Sequence, residues 1–130
     1  MPKPPPTVVN LLVADAIHRD PVGKAYILGV FHTYYARQFP LTLPDIALYL
    51  ALTDGRGEVP VTVRLADAAD DDTPPVVSQN VVVTFPGPLE VVTFSLELSA
   101  ITFARPGLYR WQVVCGGEVI AEQRLMIAGV

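Results

Sequence analysis

"DIALYLALTDGRGEVPVTVRLA", residues 45–66, alternates with a period of two on both sides of a short polar turn. Ile46, Leu48, Leu50 and Leu52 fall on one side of an extended chain, and Ala47, Tyr49, Ala51 and Thr53 on the other. After "DGRG" (54–57) the pattern resumes, with Val59, Val61, Val63 and Leu65 facing in and Thr62 and Arg64 facing out. Side chains two apart, rather than three or four apart, leave water together, so stacked pleated sheets are expected and helices are not. Pro60 has no N–H for a ladder, so its strand is expected at a sheet edge, or with the proline pointing outward from one.

The same reading extends in both directions. Thirteen prolines and nine glycines cut the chain into strand-sized apolar runs, and no helical pattern survives between the cuts. Upstream, "VVNLLVADAIH" (8–18) meets "DPVG" (20–23), where Pro21 fixes φ at the second turn position and Gly23 releases the chain into a hairpin. "KAYILGVFHTYYA" (24–36) then reads as one β-branched and aromatic strand, stopped by the Pro-rich "FPLTLPD" (39–45). Downstream, "VVSQNVVVTF" (76–85) and "LEVVTFSLELS" (89–99) flank "PGP", and Val92, Phe94, Leu96 and Leu98 alternate against Thr93, Ser95, Glu97 and Ser99.

The last segment, "PGLYRWQVVCGGEVIAEQRLMI" (106–127), is a second hairpin. Two registers compete. A two-residue Gly116-Gly117 loop sets Trp111 opposite Glu122 and Tyr109 opposite Arg124. A three-residue loop over Cys115, Gly116 and Gly117 sets Trp111 opposite Ala121, Val113 opposite Val119 and Arg110 opposite Glu122. We prefer the second, because it buries Tyr109 and Trp111 as core and pairs the charges outside. "FARPGLYRW" also resembles the entry to a late strand of immunoglobulin-like sandwiches, where a Tyr just after Pro-Gly anchors a corner. With a single cysteine there is no immunoglobulin disulfide.

Composition narrows the function classes. At 130 residues the chain has room for one core. Charged residues make up 17%, against roughly 25% in an ordinary soluble domain, so more apolar surface than usual must be covered by something. A net charge of -4 with nine scattered basic residues offers no stripe for phosphate backbones, so nucleic acid is not expected as a partner. No apolar run approaches the roughly 18 residues that span a bilayer, and "MPKPPPTVV" has no signal-peptide core, so a cytoplasmic protein without membrane contact is expected. A single cysteine, Cys115, fits that compartment, and it reads as a small strand hydrophobe rather than a reactive thiol.

Candidate chemistry is sparse. "RDPVGK" lacks the upstream glycine and the following Ser or Thr of a phosphate loop. His18 sits near the first turn and His32 far down the returning strand, so the two do not converge on a metal. Asp67, Asp70, Asp71 and Asp72 form an acidic loop without the glycine turn and distal Glu of an EF-hand, and whether it takes a cation stays open. Ser78, Ser95 and Ser99 lack a nucleophile context. No catalytic residue, metal ligand, cofactor or identifiable ligand is assigned.

The anomaly is two-sided hydrophobicity. Tyr26, Leu28, Val30 and Tyr34 lie on one side of the first hairpin's returning run, and Ile27, Phe31 and Tyr35 on the other. Two readings stand: a central strand beneath a long loop, or a self-complementary dimer patch. For the patch, Ile27, Phe31, Tyr35 and Tyr49 are the candidate interface residues.

"ADAIHRDPVGKAYILGVFHTYYARQFP" (14–40), with Asp15 and Asp20 before a turn, Gly23-Lys24, Gly29-Val30-Phe31 and a closing Phe39-Pro40, resembles the start of an uncharacterised bacterial family of short single-domain proteins. The likeness extends more loosely through "LYLALTDGRGEVPVTVRLAD". It implies a β-sandwich and no established activity. Together the readings give an all-β, antiparallel, immunoglobulin-like sandwich of about eight strands over residues 7–130, behind a disordered Pro-rich segment at 1–6. The expected role is a non-enzymatic protein-binding or assembly module that binds a protein partner or itself as a homodimer. The alternative is a ligand-binding or enzymatic sandwich with a pocket between its sheets.

Overall fold

The computed structural model describes residues 4–70 and 72–130. Among the described residues nine strands run in chain order: β1 Thr7–Arg19, β2 Ala25–Val30, β3 Thr33–Ala36, β4 Leu41–Thr53, β5 Gly57–Asp67, β6 Val77–Phe85, β7 Val92–Phe103, β8 Gly107–Cys115 and β9 Glu118–Gly129. They form two sheets, ordered β2-β1-β4-β7 and β3-β9-β8-β5-β6. This division, with consecutive strands β4 and β5 or β7 and β8 changing sheet, is that of an immunoglobulin-like sandwich. Residues 1–3 of the Pro-rich segment lie outside the described residues; Pro6, just ahead of β1, is buried.

The alternation in 45–66 builds the core as expected. Leu48, Leu50 and Leu52 of the four-stranded sheet and Leu65 of the other are fully excluded from water, and Val59, Val61 and Val63 join the same core in the sheet that also carries Trp111, Val113, Leu125 and Ile127. Gly55 lies directly under the Phe85 ring, where any Cβ would collide with it. Pro60 is not on an outer strand, because β5 pairs with both β6 and β8. However, β8 pairs only with Thr62–Asp67, so at Pro60 β5 has a neighbour on the β6 side alone and the missing N–H costs no ladder bond.

Two expectations need correction. The run 24–36 is not one strand: it breaks at Phe31-His32, and β3 crosses to the other sheet, where it runs parallel beside β9. The sandwich is therefore not wholly antiparallel. The second correction concerns the last hairpin. Gly116 and Gly117 both have positive φ (59° and 81°), forming a two-residue loop that pairs Cys115 with Glu118 and Val114 with Val119. A bulge between Val113 and Val114 then shifts the ladder, so Trp111 faces Gln123 and Arg110 faces Arg124. Neither expected register holds along the strand. From Ala121 onward the preferred one is displaced by two residues, which leaves those side chains on their expected faces; nearer the turn the shift is one residue, so Val119 pairs with Val114 rather than Val113 and turns outward, 40% exposed. Trp111 is fully buried, and Arg110 still meets Glu122 on the diagonal at 3.7 Å.

Tyr109 closes the turn from β7 into β8. Its hydroxyl donates to the Arg105 carbonyl at 3.2 Å, and its ring meets Phe103 edge-on at 4.8 Å between centroids. This is the tyrosine corner expected from "FARPGLYRW". Burial, with the Asp67 charge as a second cause, pushes the phenol's pKa upward and keeps it a neutral donor.

Candidate functional site

The first hairpin is the most unusual surface of the molecule. Its turn is built by Asp20, whose carboxylate accepts from the Val22 and Lys24 amides at 3.0 and 2.9 Å, while Gly23 takes φ of +87°. β1 pairs with β4 only as far as Ala14, opposite Ala47. If β1 ran straight on, Arg19 would lie level with Thr42 and Thr102. Instead its guanidinium donates to Thr93 at 3.3 Å, nine positions away along β7. The hairpin therefore leaves the sheet after Ala14 and folds back over its outer face. That cover explains why Ala47 and Ala51, on the outer side of β4, are buried, and why the Ser95 hydroxyl is sealed from solvent.

The fold-back accounts for the two-sided hydrophobicity. Ile17 and Ile27 are cross-strand partners, both half-buried, on the side that carries Arg19 toward Thr93. The other side is left open: Tyr26, Leu28 and Val30 are 49%, 49% and 44% exposed, with only His18, Ala16 and Ala14 beside them on β1. Gly29, between Leu28 and Val30, has φ of +74°, and a Cβ there would collide with the Asp15 carboxylate. Asp15 and Gly29 thus form one close contact that shapes the ribbon where it lifts from the sheet.

The structure does not bring Ile27, Phe31, Tyr35 and Tyr49 together. Ile27 is half-buried on the covered side of β2. Phe31 packs against the main core, edge-on to Tyr34 at 6.0 Å. Tyr35 is exposed, but on β3 in the opposite sheet. Tyr49 stands half-buried on the outer side of β4, opposite Leu12 and Ser95. The break at Phe31-His32 explains the scatter, because counting by twos through it carries a face from one sheet to the other.

The polar alternative centres on a cavity of about 320 Å³ on the outer face of the five-stranded sheet, lined by Arg64, Asp67, Asp70, Thr73, Arg110 and Gln112 among others. Its ionisable groups are engaged with protein partners. Arg64 donates to Gln112 at 2.8 Å, Asp67 meets Arg105 at 3.5 Å, and Arg110 meets Glu122. Asp70 accepts from the Thr73 hydroxyl at 2.6 Å and from the Asp72 amide, and these hydrogen bonds hold its carboxyl below the usual carboxylate range. That direction suits a loop-capping carboxylate and opposes a general acid. Asp71 lies outside the described residues.

A second hollow, of about 400 Å³, opens where the hairpin lifts off, between Asp15–His18 and the paired stretches Asp45–Ala47 of β4 and Glu97–Ser99 of β7. It gathers Asp15, His18, Asp45 and Glu97, but among the described residues no group of three His, Cys, Asp or Glu is placed to hold a metal ion. His18 is the next-to-last residue of β1 and His32 lies in the crossover to β3. Cys115 is a free thiol, half-buried beside the last turn. Among the described residues no helix is long and apolar enough to cross a membrane.

Comparison with known proteins gives a family without an assigned activity. Residues 10–128 match a family described as "Family of unknown function (DUF6941)". No curated protein matches the chain. Among solved structures, a mutant beta-glucosidase from Listeria innocua in complex with laminaribiose is 14% identical over 95% of this chain, with a TM-score of 0.48. This chain spans 16% of that protein's length. An immunoglobulin-like protein from Pseudomonas aeruginosa is 13% identical over 96% of this chain and 98% of its own, with a TM-score of 0.45.

Proposed function

The chain belongs to the family of unknown function DUF6941, and we propose that it is a non-enzymatic protein-binding or assembly module whose partner is a second copy of itself. The observation that carries this reading is the uncovered stripe of Tyr26, Leu28 and Val30 on the outermost strand of the four-stranded sheet. Large apolar side chains lined up on one side of an edge strand cost free energy in water and gain it in contact. A two-fold axis near Leu28 would set Tyr26 of one copy against Val30 of the other, an apolar and self-complementary match free of charge clashes. Three side chains are few against the roughly 800 Å² per partner of a standard interface, so the dimer is weak and reversible. A cytoplasmic setting, in which Cys115 stays reduced, belongs to the same proposal.

Sedimentation equilibrium from micromolar to millimolar protein tests it. The wild type should show a concentration-dependent rise in mass, and Leu28→Lys should weaken that rise while melting at the same temperature. A wild type that stays monomeric at millimolar concentration contradicts the reading.

A further inference from the structure

The four sheet edges are protected unequally. β3 is only four residues long. β2 is interrupted by Gly29 at positive φ. β7 carries Glu97 and turns at Ala100, a non-glycine residue with φ of 56°. These are the ordinary defences of an edge: shortness, distortion and charge. β6 has none of them. Its sequence, "VSQNVVVTF", contains no proline, glycine or charged residue. All nine residues pair with β5 in one unbroken register. Among the described residues no other strand or loop hydrogen-bonds to its outer side. Every second residue of β6 therefore presents a backbone N–H and C=O outward from a straight strand roughly 30 Å long.

The sequence of β6 also fits itself. We infer that the free edge of β6 pairs antiparallel with β6 of a second copy about Val81, joining two five-stranded sheets into one of ten strands. In that register Val77 meets Phe85, Gln79 meets Val83 and Val81 meets its own copy on the core side. Ser78 meets Thr84 and Asn80 meets Val82 on the outer side. No like charges face each other, and the inner row, apolar but for the exposed Gln79, continues from one sandwich into the next. Pro74, Pro75, Pro86 and Pro88 flank the strand, so the pairing stops at its nine residues. This contact is separate from the Tyr26–Val30 stripe, which lies in the other sheet.

Asn80 and Val82 are exposed on the outer face and oppose each other across the proposed axis, so paired substitutions read the register directly. The full chain carries Leu28→Lys as a background, which removes the hairpin contact. Into it go either Asn80→Lys with Val82→Lys, or Asn80→Glu with Val82→Lys. Asn80→Lys removes the acceptor of the Thr62 hydroxyl whereas Asn80→Glu can supply another, so the melting temperature of each chain is measured beside its association. The Lys/Lys chain should self-associate about tenfold more weakly than its parent, and the Glu/Lys chain should match or exceed the parent. Equal behaviour of the two chains, whether both unchanged or both weakened, overturns the pairing about Val81. If instead Leu28→Lys alone leaves wild-type association untouched, the hairpin reading fails and the edge test still stands.

Discussion

The molecule contains two long hairpins, each with a row of large apolar and aromatic side chains, whose rows meet opposite fates. β8–β9 carries Tyr109 and Trp111, and β1–β2 carries Tyr26, Leu28 and Val30. In β8–β9 the aromatic side faces the opposite sheet and disappears from water, while the other side holds Arg110, Gln112, Glu122 and Arg124. In β1–β2 the hairpin leaves its sheet after Ala14, so one apolar side covers the sheet and the other keeps Tyr26, Leu28 and Val30 about half exposed. The same residue types make a wall in one place and an open surface in the other. What separates them is whether the strand stays in the plane of its sheet, a long-range property that alternation does not encode.

The largest effect that would sharpen this contrast is on stability. Trp111→Ala should cost about 3–5 kcal/mol in urea unfolding, because it empties the centre of the core, whereas Leu28→Ser should stay within about 0.5 kcal/mol. Comparable losses in the two variants would erase the distinction between wall and surface. Next in size, Gly29→Ala forces a left-handed backbone onto an alanine and drives its Cβ into the Asp15 carboxylate. A loss of at least about 1–2 kcal/mol is expected by calorimetry, and pairing it with Asp15→Ala should recover part of that loss.

Smaller again is Tyr109→Phe, which deletes only the hydroxyl bonded to the Arg105 carbonyl. About 1 kcal/mol is expected, with the hairpin otherwise intact. The smallest effect belongs to the charged side of β8–β9. Arg110 and Glu122 are each 41% exposed, so Arg110→Ala should change stability by less than about 1 kcal/mol, and the difference should shrink in high salt. A large, salt-independent loss would mean that this outer side is built more tightly than its exposure indicates.

Legibility in the sequence follows the same division. The row Ile46 to Leu52, the row Val59 to Leu65, and the burial of Tyr109 and Trp111 were all readable, because each depends only on which side of a strand a residue occupies. The register of β8–β9 was not, because a bulge near Val113 adds a residue that no turn signal announces. The end of β2 was hidden as well: "GVFHTYY" is continuously β-prone, and the one clue was Gly29 in the middle of the run. From that miss came the placing of Ile27, Phe31, Tyr35 and Tyr49 on a single surface. Nor does any local pattern report that Arg19 reaches Thr93, a contact between residues 74 positions apart.

Hydroxyl-radical footprinting, run on dilute and on concentrated protein, tests most directly the claim that one hairpin is wall and the other is contact surface. Labelling of Tyr26 and Leu28 should be strong in dilute solution and should fall as concentration rises, while Trp111, intrinsically among the most reactive side chains, stays unlabelled throughout. Labelling of Trp111, or equal labelling of Tyr26 and Leu28 at both concentrations, would contradict the account.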